Sequence, residues 1–377
     1  MARQNELAET VVVAGGLAQK LEYAGHAWFF LQYLLGFQRL GFDVLFIDRL
    51  QPGTGARAAR LRQLLEDFGL GRSFALLDGP GGETAGLPRG EVLERLRRSR
   101  LLLNVMGYLD DPELLEAAPR RVFLDIDPGF PQMWHALGLA DVFAGHDVYL
   151  TIAENIGKPD CSIPTCGLEW RTTRQPVVLE QWPVQAQLGE RLTTVGSWRG
   201  PYDRVEYGGR AYGLRVHEFR QFADVPRLSG RSFEAALDID AADEADLDLL
   251  REGGWALADP AEVAADPASY RRYIQRSRGE VSIPKQMYVE TSSGWFSDRS
   301  CCYLASGKPV LARDTGLREL YPCGEGLLTF TTAEEALAAA EDVYSEPARH
   351  AAAARSLAEE AFDSDRVLTR LLEVAAE

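Results

Sequence analysis

Residues 293–312 read SGWFSDRSCCYLASGKPVLA, and this stretch contains the clearest structural signal in the chain. A turn at Gly294 precedes Ser297, a residue type that often caps the N-terminus of a helix. The predicted helix ends at Gly307, and a short apolar run typical of a buried strand follows it. The first helical turn has free N–H groups and a partial positive charge, so it suits an anion such as a diphosphate, and Arg299 lies in that turn. The stretch therefore predicts a loop-helix-strand unit with an anion site, although any α/β protein contains units of this kind.

The N-terminal half of the sequence also alternates apolar strands with helices. The first apolar run, residues 9–14, ends at Gly15 and Gly16, where the chain can turn tightly or approach a ligand closely. Further strands are predicted at 42–47, 101–105, 121–126 and 148–152, and helices at 25–40 and 61–68. Because no hairpin signal separates these segments, they predict a parallel sheet wrapped by helices.

The C-terminal half repeats this organisation after a break. Residues 170–192 carry prolines and polar residues and are predicted to be a linker. Residues 193–200 then repeat a strand followed by glycines, which indicates a second α/β domain. Helices are predicted at 215–222, 247–251, 270–278, 333–343, 347–361 and 366–376, and strands at 233–239, 279–284 and 308–312. Since 377 residues exceed the roughly 250–300 that one core usually serves, we expect an α/β protein of two doubly wound, Rossmann-like domains that face a central cleft.

The composition limits where the protein acts and what it binds. A formal net charge of −16 disfavours a nucleic-acid backbone or an anionic membrane as the main partner, because both require a basic surface. No apolar run approaches the roughly 20 residues of a membrane span. Residues 1–10 lack the apolar core of a secretory signal, so we expect a cytoplasmic protein without stable membrane insertion. The five cysteines show no zinc-binding spacing and are expected to be reduced thiols.

The stretch 293–312 resembles the donor-binding segment of GT-B glycosyltransferases of the large retaining, glycogen-synthase-like family. In that family a Gly-Phe-Gly-type turn starts a helix that ends in Gly-x-Pro-Val, a pattern matched here by Gly307, Pro309 and Val310. The resemblance implies GT-B architecture for the whole chain. It implies three segments: an acceptor-side domain at 1–185, a nucleotide-sugar-binding domain at 192–350 and a helical segment at 351–377 that packs back toward the first domain.

The resemblance also implies an activity. The chain would be a hexosyltransferase that moves a sugar from a nucleotide-diphosphate-sugar donor to a small-molecule acceptor, such as a natural product, without a metal cofactor. Donor contacts are expected from residues at strand ends and at the helix N-terminus: Gly15, Gly16, Gly196, Arg199, Lys285, Gly294, Phe296, Ser297, Asp298 and Arg299. Plain surface turns remain the alternative for the glycine loops, and a solvated side chain is the alternative for Lys285.

One departure from the family concerns its two glutamates, which lie eight positions apart. In this register their positions hold Gly294 and Cys302, and neither residue can act as a carboxylate. The family's glutamate contacts and its retention of anomeric configuration are therefore not implied here. A sugar-nucleotide epimerase or hydrolase on the same fold, and a non-catalytic nucleotide-sugar-binding protein, remain alternatives. A nicotinamide-dependent dehydrogenase is disfavoured because neither glycine loop reads Gly-x-Gly-x-x-Gly.

Two side chains near the predicted strand ends of the first domain are candidates for the group that takes the acceptor's proton. Asp127 directly follows a strand and ranks slightly ahead, although an aspartate before Pro-Gly is often only a turn former. His146 has an unperturbed pKa suited to base chemistry near neutral pH. Asp125 and Asp127 also fit an Asp-x-Asp metal pattern, but the same tripeptide recurs at 238–240, and no metal site is predicted. The helix histidines His26, His135 and His217 are expected to be packing or surface residues.

Overall fold

The computed structural model describes residues 9–49, 55–77, 84–185 and 187–377. One sheet lies in each half of this part of the chain, and a two-stranded hairpin is added in the second half. Nearly all neighbouring strands of the two sheets are parallel, with helices in the connections. The predicted α/β class with two doubly wound domains is therefore confirmed.

The first sheet is formed in chain order by β1 (Thr10–Ala14), β2 (Asp43–Arg49), β3 (Phe74–Leu77), β4 (Thr84–Gly86), β5 (Ser99–Val105), β6 (Arg121–Asp125), β7 (Val148–Thr151) and β8 (Trp170–Thr172). Their spatial order is β4-β3-β2-β1-β5-β6-β7-β8. Only the β3–β4 pair among them is antiparallel in the described residues. The accompanying helices are α1 (Ala24–Arg39), α2 (Gly55–Asp67), α3 (Arg89–Arg97), α4 (Pro112–Ala117) and α5 (Phe130–Ala136).

The second sheet and the hairpin follow the chain order β9 (Leu192–Ser197), β10 (Val205–Tyr207), β11 (Arg210–Tyr212), β12 (Phe233–Asp238), β13 (Trp255–Leu257), β14 (Gly279–Ser282), β15 (Val310–Arg313) and β16 (Leu327–Phe330). The sheet has the order β13-β12-β9-β14-β15-β16. The helices are α6 (Arg215–Phe219), α7 (Val225–Ser229), α8 (Glu244–Glu252), α9 (Pro260–Val263), α10 (Pro267–Arg276), α11 (Gln286–Glu290), α12 (Asp298–Ala305), α13 (Ala333–Ser345), α14 (Pro347–Leu357) and α15 (Ser364–Ala376).

The central strand β1 shows why its sequence forms a strand. Val11, Val12 and Val13 are all fully buried, because the parallel sheet is covered on both faces and leaves no solvated side. Branching at Cβ also favours the extended backbone. A continuous β-branched run therefore predicts a central strand better than an alternating pattern would.

The second half contains a hairpin that was not predicted from the sequence. β10 and β11 pair antiparallel around Gly208 and Gly209, which both have positive φ angles. Two such residues between paired strands match a tight hairpin turn. The pattern was missed because each strand has only three residues.

The segment predicted as a linker connects the two sheets, but it begins with strand β8 and is packed against the protein. Val177 and Trp182 are fully buried, and the Trp182 ring lies 4.8 Å from that of Trp28 on α1. The Val177 N–H donates to the carbonyl of Phe362 at 2.7 Å. The chain near Phe362 thus returns to the crossing point, and α15 packs against α1.

The carboxyl ends of the two sheets face each other. Asp127, just after β6, contacts Lys285, just after β14. The Asn155 side chain, in the loop after β7, donates to the carbonyl of Ser292 at 3.1 Å. Parallel α/β sheets bind ligands at their carboxyl ends, so these contacts locate the cleft in which a site is expected. No helix among the described residues has the length and apolar character needed to span a bilayer.

Candidate functional site

The end of β9 brings two guanidinium groups against the backbone. A Cβ atom added to Gly196 would lie 2.6 Å from Nη1 of Arg215 and 3.4 Å from Nη1 of Arg299. Only glycine leaves room for both side chains at this point. The predicted glycine loop at the start of the second domain therefore lies beside two cations, one of which, Arg215, was not singled out in the sequence.

We call Arg215, Arg299 and Glu280 the arginine cluster. Nε of Arg299 donates to Oε1 of Glu280 at 2.5 Å, and Glu280 is fully buried on β14. Nη2 of Arg299 and Oε2 of Glu280 have no hydrogen-bond partner in the described part of the chain. Within the described residues Arg215 has only a long contact, from Nη1 to the carbonyl of Ser197 at 3.4 Å. Two guanidinium groups thus lie near the one carboxylate of Glu280, and these three side chains together carry a net positive charge.

The pKa shifts in this cluster follow from burial and from the neighbouring charges. Burial lowers the pKa of Arg215 to about 9, and the adjacent positive charge of Arg299 acts in the same direction. Burial also opposes the charge on Arg299, but Glu280, Tyr270 and Asp298 together outweigh it and raise the Arg299 pKa above its ordinary value. Arg215 is therefore the cation that a bound anion would stabilise most.

The first turn of α12 contains the predicted cap. The Ser297 hydroxyl accepts a hydrogen bond from the Arg299 N–H at 3.2 Å, as an N-cap does. Asp298 follows on the same turn, and burial raises the pKa of its carboxyl group. Ser297 and Asp298 thus lie at the expected helix start, directly beside the arginine cluster.

Two residues of the predicted diphosphate turn have other contacts. The Phe296 ring stacks on that of Phe362 at 5.1 Å and is buried, so its side chain belongs to the core. A Cβ atom on Gly294 would lie 3.0 Å from the backbone nitrogen of Asn155, which belongs to the other half. The Phe296 side chain thus stabilises the interior and Gly294 permits close contact between the halves, while a donor contact by the backbone of this turn stays a prediction.

Arg199 also departs from its predicted position. Its Nε and Nη2 atoms donate to both carboxylate oxygens of Asp243 at 2.5 and 2.6 Å, and its side chain is 44% exposed. The structure therefore places Arg199 in a surface ion pair outside the arginine cluster. The sequence favoured it because it follows a strand end, but the backbone turn directs its side chain toward Asp243.

Lys285 lies across the cleft from the first domain. It contacts Asp127 and Tyr288, and we call these three residues the lysine bridge. Its Nζ atom donates to Oδ1 of Asp127, and the Tyr288 hydroxyl donates to the same oxygen. The alternative of a freely solvated lysine is wrong, because the Lys285 side chain is only 14% exposed. The two sequence candidates Lys285 and Asp127 are thus brought together from different domains.

The neighbouring Asp125 has a different environment from Asp127. It is fully buried and accepts hydrogen bonds from Nε2 of Gln132 at 2.7 Å and from the Thr151 hydroxyl at 2.8 Å. Burial raises its pKa to about 6. No group of three or more His, Cys, Asp or Glu residues in the described ranges is arranged to hold a metal ion.

His146 is not available as predicted. Nε2 accepts from the amide of Asn104 at 3.0 Å, so Nδ1 carries the proton and donates to the carbonyl of Phe143 at 3.0 Å. Burial lowers its pKa, since a charged ring would be poorly solvated there. Both ring nitrogens serve local structure, which corrects the assignment of His146 to proton transfer.

His26 is the residue that the sequence interpretation missed. It lies in the first turn of α1, and its Nε2 atom is 3.0 Å from the carbonyl of Gly16, to which it donates. Nδ1 has no hydrogen-bond partner in the ranges that the structure describes. Burial lowers the pKa of His26 to about 4, the charge of Lys20 adds to this, and the charge of Asp127 opposes it. The sequence feature that could have pointed to His26 is its position shortly after the Gly15-Gly16 loop.

The two N-terminal glycines are needed for packing. A Cβ atom on Gly15 would lie 2.5 Å from the Phe30 ring, and one on Gly16 would lie 2.8 Å from the Tyr108 ring. The loop that presents the Gly16 carbonyl to His26 is therefore fixed from behind by two aromatic side chains.

An apolar groove of about 600 Å³ opens beside the lysine bridge, between α5 and the approach to β10. Leu139 is 70% exposed there, and Leu137 is also exposed. Tyr202 belongs to the groove and also lies 4.9 Å from the Phe130 ring, next to Lys285. The groove is lined by Trp134, Leu137, Leu139, Pro201, Tyr202, Asp203, Arg204, Val205 and Glu206.

Comparison with known proteins gives a fold but no sequence family. No family model matches the chain, and no curated protein matches it. Among solved structures, it is similar to Anabaena HepE in complex with UDP, with 11% identity, a TM-score of 0.58, and coverage of 98% of this chain and 99% of that one. It is also similar to an alpha-glucosyltransferase (AGT) in complex with UDP, with 10% identity, a TM-score of 0.60, and coverage of 98% and 100%.

A third similar structure is the pneumococcal O-GlcNAc transferase GtfA in complex with UDP and GlcNAc, with 10% identity, a TM-score of 0.57, and coverage of 98% and 99%. These likenesses extend over nearly the whole length of each chain. Together with the two parallel sheets they establish the fold as GT-B, with two Rossmann-like domains facing a cleft.

Proposed function

We propose that this chain is a glycosyltransferase that uses a nucleotide-diphosphate sugar, whose diphosphate binds at the arginine cluster. The observation that carries the proposal is the pair of guanidinium groups flanking Gly196, with Nη2 of Arg299 free of partners in the described residues. A buried cluster with excess positive charge is costly unless an anion completes it. The whole chain has a net charge of −16, so this local positive charge does not follow from the overall composition.

The comparisons support UDP as the first nucleotide to test. HepE, AGT and GtfA have UDP in their structures, and HepE also has a structure with UDP-glucose. The donor would lie mainly in the domain at 192–350 and the acceptor mainly against the domain at 1–185. The arginine cluster belongs to the domain at 192–350. The Gly15-Gly16 loop and His26 belong to the domain at 1–185.

We assign charge compensation on the diphosphate to side chains and not to a metal ion. Arg215 and Arg299 flank the loop at Gly196, and Lys285 lies next to them at Gly200, where a Cβ atom would be 3.5 Å from its Cε. Guanidinium groups bind phosphate oxygens in bidentate geometry, and an ammonium adds a compact charge. These three cations would surround one diphosphate with positive charge in place of a divalent ion, and the carboxylates of Glu280 and Asp127 offset part of that charge.

We place proton acceptance at His26 and not at Asp127 or His146. Oδ1 of Asp127 already accepts from Lys285 and Tyr288, and both ring nitrogens of His146 are engaged. His26 is neutral at pH 7, since its pKa is lowered to about 4, and its Nδ1 atom is free to accept. The negative charge of Asp127 opposes this lowering and would favour the protonated ring during the reaction.

We propose a small acceptor with an apolar part, which would bind in the groove at Trp134, Leu139 and Tyr202. These three residues form an apolar wall, charged side chains at 203, 204 and 206 form another part of the lining, and the groove adjoins the lysine bridge through Tyr202. One similar structure contains an alpha-glucosyltransferase with UDP and a 13-mer DNA. A chain of net charge −16 suits such an acidic acceptor poorly.

Calorimetric titration with UDP, GDP and TDP tests the donor site, first with EDTA and then with Mg²⁺. We expect one nucleoside diphosphate to bind equally well in both, and to stabilise the fold by about 2.7 kcal/mol at roughly 100 times its Kd. If none binds, the proposed function fails; if binding requires Mg²⁺, the metal-free assignment fails. Product analysis with UDP-glucose and a set of acceptors then separates sugar transfer from hydrolysis and epimerisation.

A further inference from the structure

The lysine bridge joins the two halves at the centre of the cleft. Lys285 follows β14 in the second half and Asp127 follows β6 in the first, and their side chains are only 14% and 18% exposed. The Tyr288 hydroxyl donates to the same Asp127 oxygen as the ammonium of Lys285. The carboxylate from one half is thus the anionic partner of the ammonium from the other.

Aromatic rings from both halves enclose the same ammonium group. Nζ of Lys285 lies 4.9 Å from the ring centroid of Phe130, 5.0 Å from that of Tyr202 and 5.5 Å from that of Tyr288. Ring faces attract a cation, and more strongly when water is excluded. Phe130 belongs to the first half and the two tyrosines to the second, so this enclosure is complete only when the halves are together.

The backbone around Asp127 fits closely against the second half. Gly129 has a φ of 95°, and a Cβ atom there would lie 2.6 Å from Sδ of Met287. A side chain at position 129 would therefore have to displace the Met287 side chain of the second half. This contact places the loop at 127–129 directly on the start of α11, which carries Tyr288.

Lys285 is close enough to Arg215 of the arginine cluster for the charge of that guanidinium to act on it. Burial lowers the pKa of Lys285, the charge of Arg215 acts in the same direction, and the Asp127 carboxylate opposes both. Without Asp127, the ammonium would be both desolvated and repelled by the neighbouring cation. Asp127 is therefore the group that keeps a third positive charge next to the two guanidinium groups.

We propose that Asp127 is a positioning residue that holds the Lys285 ammonium at the diphosphate site when the halves close, so that closure itself supplies the third cation. This inference rests on the proposed function. In the transfer step the bond between the anomeric carbon and the diphosphate oxygen breaks, and its electron pair stays on that oxygen, where Lys285 balances the added charge. The acceptor oxygen forms the new bond to the anomeric carbon, and its proton goes to His26. Asp127 takes no proton.

A double-mutant cycle on UDP affinity tests whether Asp127 acts through Lys285. We expect Lys285→Ala to weaken UDP binding about tenfold and Asp127→Asn to weaken it by about threefold to tenfold, as loss of a charge-assisted contact would. The double variant should match Lys285→Ala, since Asp127 has no further effect once the ammonium is gone. Asp160→Asn, an exposed aspartate in the same half, is the control and should bind UDP like the wild type.

A rescue experiment separates positioning from a general structural effect. Ethylammonium should restore UDP affinity to Lys285→Ala, and it should fail to do so when Asp127→Asn is also present, while ethanol should have no effect in either protein. Lys285→Met serves for the cycle if Lys285→Ala unfolds, as judged by circular dichroism. Three outcomes would each overturn the inference: an Asp127→Asn variant that binds UDP like the wild type, losses of affinity that multiply in the double variant, or rescue by ethylammonium that does not need Asp127. None of them would change UDP binding by the wild type, so the proposed function would stay intact. A wild type that binds no nucleoside diphosphate would overturn both.

Discussion

The arginine cluster and the lysine bridge are both charged groups in the cleft, yet they depend on different parts of the fold. Arg215, Glu280 and Arg299 all belong to the second half, where α6, β14 and α12 carry them and the two guanidinium groups lie beside Gly196 of β9. Lys285 and Asp127 come from opposite halves and meet only across the cleft. The cluster is therefore a property of one domain, and the bridge is a property of the closed pair.

This difference suggests a division of labour. A site contained in one domain can bind a nucleotide before the acceptor side is in place, whereas a contact between domains can report that the cleft has closed. Variants on the cluster should then change nucleotide binding, and variants on the acceptor side should change turnover.

The largest effect is expected from His26→Gln. Turnover should fall by about 10² to 10⁴, the usual contribution of a general base, while UDP affinity stays within about twofold. Steady-state kinetics with the acceptor found by product analysis, together with UDP calorimetry, measures both quantities. His135→Gln is the matched control, since His135 is partly exposed and lies beside Asp141. Normal turnover of His26→Gln would mean that His26 is not the base and would favour Asp127 instead. In that case Asp127→Asn should lower turnover even when Lys285 has already been replaced by alanine.

The next effect is on stability, from Arg299→Met. This change leaves the fully buried Glu280 without its cation, and breaking a buried pair in this way costs about 3–5 kcal/mol. Urea denaturation should show this loss for the single variant and a much smaller one for Glu280→Gln with Arg299→Met. Both proteins should bind UDP poorly. A single variant as stable as the wild type would mean that Glu280 is not held as a buried anion, and the cluster would lose its structural role.

Features of the arginine cluster that depend on neighbouring residues in the chain could be predicted from the sequence. The helix at 298–305 is confirmed with Ser297 as its cap, and Gly196 lies at the end of a strand, within β9. These features depend on residues that are neighbours in the chain, where capping and apolar runs act directly. The hairpin at 205–212 and the short strands at 74–77 and 327–330 were not predicted, because three or four residues give little periodicity.

The contacts across the fold could not be predicted in the same way. Lys285 and Asp127 are 158 positions apart in the chain, and either residue alone resembles an ordinary turn or surface residue. His26 looks like a packing histidine until the Gly16 carbonyl fixes one of its nitrogens. Phe296 was placed at the diphosphate by its motif position, but its stacking partner Phe362 lies 66 residues later. The identity of these residues is visible in the sequence, but their contact partners depend on how the two domains are arranged.

A smaller effect, confined to binding, is expected from Arg215→Met. Loss of one guanidinium should weaken UDP binding by about tenfold to a hundredfold, or about 1.5–3 kcal/mol. Stability should stay constant or rise, because Arg215 has no carboxylate hydrogen bond and burial already lowers its pKa. Calorimetry and thermal melting of the same samples measure the two quantities. Equal losses of affinity and stability would indicate that Arg215 supports the fold and does not bind the diphosphate.

The smallest effect is expected from Arg199→Ala, which tests where the arginine cluster ends. Arg199 was predicted from the sequence to contact the donor, but the structure pairs it with Asp243 on the surface. Arg199 is half-exposed, and Asp243, although only 7% exposed, also lies near the positive charge of Arg220, so loss of the pair should cost about 1 kcal/mol and lower the melting temperature only slightly. UDP affinity should stay within about twofold of the wild type, in contrast to Arg215→Met measured in the same buffer. A tenfold loss for Arg199→Ala would mean that UDP draws Arg199 away from Asp243. In that case Asp243→Asn should strengthen UDP binding, because it would release Arg199 in advance, and the cluster would extend along the whole loop from Gly196 to Gly200.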